Sequence, residues 1–77
     1  MRNPAVVVVL VTCPTRVVAK KIATQLVRGR LAACVNILPK IESLFWWQGK
    51  VDQAREILLL IKSPKKRVAK LQQAIRS

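Results

Sequence analysis

The sequence predicts a small α/β protein of the α+β kind, with elements in the order β-α-β-β-α. Three observations predict it. Ala5 to Pro14, AVVVVLVTCP, sets seven apolar residues, five of them valine, ahead of a turn signal. A second unbroken apolar run, ILLLI, spans Ile57 to Ile61. After each run comes a stretch whose apolar residues recur every three or four positions, the period of a helix.

Each element has its own local reason. β-Branched residues are stiff at χ1 and suit a pleated strand, so strand one is Ala5 to Thr12, after a short leader, Met1 to Pro4. The leader and its apolar run bear a faint likeness to a secretory signal, but no small-residue cleavage site follows, so the run reads as a strand. Thr15 is placed to cap a helix over Arg16–Arg28, in which Val18, Ile22 and Leu26 form one stripe. Gly29 is expected at C′, closing that helix.

Strand two is Leu31 to Leu38, interrupted at Pro39 and resuming from Ile41 to Trp47. Gln48-Gly49-Lys50 has the composition of a hairpin turn. Strand three runs from Val51 to Lys62. Ser63 is expected to cap a second helix with Pro64 in its first position, and Val68, Leu71 and Ile75 carry the apolar face.

A right-handed crossover sets strand two parallel to strand one with a gap between them. Strand three returns by hairpin and fills that gap, antiparallel to both. This is the ferredoxin-like, split β-α-β sandwich without its last strand, a single domain over residues 1–77. Both helices fall on one face of the sheet. Strands one and three are apolar on both faces, so the other face must pack on something, and the simplest candidate is another copy.

The charge is lopsided: 15 Lys and Arg stand against Glu42, Asp52 and Glu56, a formal +12. The basic residues are spread through the chain, which favours a solvated surface over a dedicated polyanion site. Two cysteines, Cys13 and Cys34, make no disulfide framework and no C-x-x-C, which points to free thiols in a reducing, cytoplasmic setting. No segment approaches the ~20 apolar residues of a membrane span. The chain holds no histidine and no glycine-rich phosphate loop, so hydrolytic and phosphoryl-transfer chemistry have little support.

Four stretches resemble one known family. They are Val9 to Pro14 (VLVTCP), Arg30 to Asn36 (RLAACVN), Trp46 to Lys50 (WWQGK) and Leu58 to Lys62 (LLLIK). In order and spacing they are similar to the CutA divalent-ion tolerance family. The resemblance implies a non-enzymatic ferredoxin-like protein, a tight homotrimer, and a part in tolerance of copper and other divalent metal ions. It also implies a further His-Pro-Tyr-Glu stretch and a last strand, so the expectation is a truncated sequence, with a naturally shortened copy as the alternative.

By the same resemblance Cys13 is the candidate metal ligand, a soft thiolate suited to copper in its Cu(I) state, whose imidazole partner would lie in the further stretch. Without the resemblance, Cys13 reads as a small buried residue at a strand end, and Cys34 as a core residue. Trp46 and Trp47 are adjacent on a strand and point to opposite faces, one of them into an intersubunit contact. Asp52 and Glu56 share a face roughly 13 Å apart, too far for a catalytic dyad, and read as salt-bridge partners of Lys50 or Arg55. Two other functions are open. One is a signalling trimer like the PII proteins, binding a small anion or nucleotide in the cleft between subunits, with Arg30, Lys50 and Lys62 as its candidate lining. The other is a basic nucleic-acid-binding module, disfavoured because the sheet lacks the aromatic pattern of RNA readers.

Overall fold

The structure is a computed structural model and describes residues 5–76; the leader Met1 to Pro4 lies outside the described residues. The order is β1 (Val6–Cys13), α1 (Arg16–Arg28), β2 (Cys34–Trp47), β3 (Lys50–Pro64), a 3-10 turn (Lys65–Arg67) and α2 (Val68–Arg76). The sheet order is β1-β3-β2, and β3 is antiparallel to both neighbours. The expected β-α-β-β-α arrangement is the one found.

Helix α1 has the expected bounds. Thr15 is extended, and its Oγ1 accepts a hydrogen bond from the Val18 N–H at 3.2 Å. The far end differs from expectation. Gly29 is the C-cap with φ −77°, and the left-handed residue at C′ is Arg30, φ 56°. The Leu31 N–H bonds the Leu26 carbonyl and the Arg30 N–H bonds the Val27 carbonyl, both at 3.0 Å, which is the Schellman pattern. At Gly29 the space is tight: a Cβ there would sit 3.1 Å from the Gln25 carbonyl oxygen.

This cap also delays β2. The N–H groups of Leu31 and Ala32 both turn back to Leu26, and the ladder begins only when the Ala33 N–H reaches the Lys62 carbonyl at 2.8 Å. β2 then runs through Pro39 with a bulge between Leu38 and Ile41, where Lys40 has φ 61°. At the hairpin, Gln48 and Gly49 have φ 50° and 75°, the two positive values of a type I′ turn.

The second correction concerns Ser63. It caps no helix. It lies in β3 opposite Val7, fully buried, and its hydroxyl donates to the Leu31 carbonyl at 2.7 Å. Strand pairing claims Ser63 and Pro64, so Pro64 precedes the 3-10 turn and α2 starts only at Val68.

The core lies between the helices and one face of the sheet. Ala19, Ala23 and Leu26 of α1 and Leu71 of α2 pack with Leu59 and Ile61 of β3, and Val9 and Val11 join from β1. The small Ala19 and Ala23 let α1 approach the strands closely. The other sheet face is bare: Val6, Val8 and Leu10 are 57–61% exposed. Beyond the helices, β2 and β3 continue as a long hairpin, and the molecule measures 50 × 24 × 21 Å.

Candidate functional site

Cys13 ends β1, paired with Ile57 of β3 and 1% exposed within the core. Burial pushes its thiol pKa up, and the nearby Glu56 carboxylate pushes the same way. The proton therefore stays on sulfur at neutral pH, and the sulfur is a poor nucleophile and a poor ligand until it is lost. Thiolate suits Cu(I), but one shielded thiol supplies one ligand, so the described residues do not make up a copper centre. Among them, no three or more His, Cys, Asp or Glu side chains gather where they could hold a metal ion.

Cys34 is half-buried, and its thiol lies 3.8 Å from Asn36 Oδ1 as donor. It pairs with Lys62, whereas Cys13 pairs with Ile57. Five positions along β3 separate the two levels, about 16 Å, and the odd count puts the thiols on opposite faces of the sheet. They do not converge within one chain. Cys34 also belongs to the bare face and not to the core beneath the helices, which corrects its expected place.

Trp46 and Trp47 pair with Val51 and Lys50 near the hairpin tip and are 75% and 59% exposed. Trp47 lines a shallow depression of about 320 Å³ with Gln48, Lys50, Val51 and Asp52. Asp52 accepts a hydrogen bond from the Gln53 N–H at 2.7 Å. Asp52 and Glu56 pair with Phe45 and Ile41, so they share a sheet face four residues apart, as expected. Lys50 and Lys62 stand twelve residues apart on β3, about 40 Å, so no single chain brings them to one cleft.

The sequence reading missed the outer face of α1. Lys20, Lys21 and Arg28 surround a depression there with Val17, Thr24 and Gln25. The available signal was the absence of acidic residues from both helical stretches, which the even spread of basic residues obscured.

Comparison with known proteins agrees with this architecture. A family model described as "CutA1 divalent ion tolerance protein" matches residues 7–77. The chain is similar to the protein CutA homolog of Xenopus laevis, 48% identical over 67 residues, which cover 87% of this chain and 44% of that protein. It is similar to the divalent-cation tolerance protein CutA of Thermus thermophilus, 46% identical over 70 residues, 91% of this chain and 68% of that one. Among solved structures, the divalent cation tolerance protein of Thermus thermophilus superimposes with a TM-score of 0.87 at 44% identity, over 94% of this chain and 70% of that one. CutA1 of Oryza sativa gives a TM-score of 0.88 at 41% identity, over 92% of this chain and 65% of that one. Against the vertebrate relatives the chain spans less than half their length: 44% in Xenopus laevis and 37% in Homo sapiens. On the match over residues 7–77 and these relatives, the chain belongs to the CutA1 divalent ion tolerance family.

Proposed function

We propose that this chain is a non-enzymatic subunit of a homotrimer that contributes to divalent metal ion tolerance in the cytoplasm. The observation that carries the reading is the bare apolar face of β1, Val6, Val8 and Leu10, in a chain of the CutA1 family. Water contact over such a row is costly at roughly 25 cal/mol per Å², and a second and third copy remove it. The bacterial relative from Thermus thermophilus is named for divalent-cation tolerance, which supports the metal-ion part. The two free thiols support the cytoplasmic part. Relatives carry mixed location names, chloroplastic in Arabidopsis thaliana and periplasmic in Archaeoglobus fulgidus. Among the described residues no helix is long and apolar enough to cross a membrane.

Sedimentation equilibrium tests the assembly. Three copies per particle are expected, and a well-folded single chain at micromolar concentration overturns the reading. Copper contact in this form runs through Cys13 and is weak. Because its thiol pKa is raised, binding must displace a proton and tightens as pH rises toward that pKa. Thiolate-to-metal absorbance in a Cu(I) titration should grow between neutral and mildly alkaline pH and vanish in Cys13→Ser. An unchanged signal in that variant removes Cys13 from the account.

A further inference from the structure

We propose that the outer face of the helical layer is a docking surface for double-stranded nucleic acid, held through its phosphate backbone without preference for base sequence. Nine of the chain's 15 basic residues lie in α1, the 3-10 turn and α2: Arg16, Lys20, Lys21 and Arg28, then Lys65, Lys66 and Arg67, then Lys70 and Arg76. These elements contain no acidic residue. Glu42, Asp52 and Glu56 all stand on β2 and β3. The fold thus sorts the charges: unopposed cations over the helices, every carboxylate side chain on the sheet.

Three of these cations share one surface. The exposed outer face of α1 presents Lys20, Lys21 and Arg28 around a shallow depression of about 460 Å³, with Thr24 and Gln25 as polar neighbours. Lys21 and Arg28 are seven residues apart, two turns along one stripe of the helix. Lys21 and Gln25 in turn line the groove between α1 and α2, facing Ala74 and Ile75. Lys21 thus stands at the edge of that groove, whose α2 side, Ala74 and Ile75, is uncharged, and the basic surface is that of α1. It lies on the opposite side of the sheet from Val6, Val8 and Leu10, so covering the apolar face leaves it free.

Charge complementarity names the occupant. A surface this rich in cations gains affinity for a dense row of phosphates by releasing their condensed counterions. The aromatic residues Phe45, Trp46 and Trp47 are all on β2. The helical layer therefore has no ring on which an unpaired base could stack, and no aromatic anchor for a lipid interface. Lysine, arginine, threonine and glutamine are the side chains that contact phosphates along a duplex. The expectation against nucleic acid rested on the sheet's lack of an RNA-reading aromatic pattern and on the even spread of basic residues along the chain; the helical layer is a different surface, and the fold sorts that spread by sign.

The test is fluorescence anisotropy with the whole chain and a labelled random-sequence DNA duplex of about 20 base pairs, from about 50 to 200 mM salt. Two triple variants remove equal charge from different places. Lys20→Gln, Lys21→Gln and Arg28→Gln strip the helical face, and Lys40→Gln, Lys50→Gln and Arg55→Gln strip the sheet. The helical variant should bind at least roughly tenfold more weakly, with a log–log salt slope shallower by about 2.7, or 0.9 per lost phosphate contact. The sheet variant should change affinity less than about threefold. Equal losses in both variants overturn the proposal, since net charge alone then explains binding. So does the absence of duplex binding by the parent chain at the lowest salt. Vesicles of phosphatidylserine in phosphatidylcholine serve as competitor: duplex retained in their presence supports the proposal, and stripping of the chain onto vesicles overturns it in favour of a membrane surface. The substituted side chains are solvent-exposed, and circular dichroism checks that both variants keep the parent fold.

Discussion

The two faces of β1 carry nearly the same residues and have opposite fates. Val7, Val9 and Val11 point toward the helices and are half-buried, whereas Val6, Val8 and Leu10, one position out of phase, stand in solvent. Residue type does not separate the two sets; what lies opposite does. Ala19, Ala23, Leu26 and Leu71 cover the first set, and nothing among the described residues covers the second. The difference teaches that one face is a folding core and the other the surface through which we propose that copies assemble. Substitutions on the two should therefore fail in different ways.

The largest effect belongs to the covered face. Leu59→Ala removes a fully buried side chain beneath α1 and should cost about 2–5 kcal/mol of protomer stability, read by urea unfolding. An equal cost from Leu10→Ala would erase the distinction between the faces. On the bare face, Leu10→Glu should leave circular dichroism unchanged and shift the sedimenting species toward single chains. A buried, unpaired carboxylate costs an interface at least about 3 kcal/mol. Retention of the parent mass would show that this face is not where copies meet.

Next comes Ser63, whose buried hydroxyl ties β3 to the Leu31 carbonyl at the end of α1. Ser63→Ala leaves that carbonyl short of a donor and should cost about 1–2 kcal/mol by the same unfolding measurement. The smallest effect touches neither face. Arg30 holds a left-handed conformation that glycine adopts without a steric penalty, so Arg30→Gly should raise stability by roughly 0.5 kcal/mol. A loss instead would mean that the Arg30 side chain contributes more than its backbone strain costs.

Much of this was legible in the sequence, where the signals were local. The bounds of α1 follow from its four-residue stripe and from Thr15, and the hairpin from Gln48-Gly49. The two apolar runs gave the strands and their both-sided character. Ser63-Pro64 was misread because a serine before a proline is a good local cap. What overrides it is distant: strand pairing to Val6 and Val7, and a carbonyl 32 residues away in sequence. Gly29 was misplaced by one position, because glycine is the usual left-handed residue past a helix end and here Arg30 takes that conformation instead. Cys13 was correctly placed at the carboxyl end of β1, but its depth in the core depends on packing by both helices. The basic surface of α1 was missed because the even spread of Lys and Arg along the chain read as a solvated exterior, whereas the fold sets every carboxylate side chain on the sheet and leaves Lys20, Lys21 and Arg28 unopposed on α1.

The bulge in β2 has a consequence for the tryptophans. Between Leu38 and Ile41 that strand advances three residues while β3 advances two. Before it, even-numbered residues such as Asn36 and Leu38 share the side of Leu60 and Leu58; after it, odd-numbered residues such as Phe45 and Trp47 do. The kink acts as a half-step in a two-beat rhythm, and it decides which indole goes to which side of the arm. Deleting Lys40 alone would trade the places of Trp46 and Trp47 and carry every neighbour downstream with them, a rearrangement far larger than one missing lysine suggests.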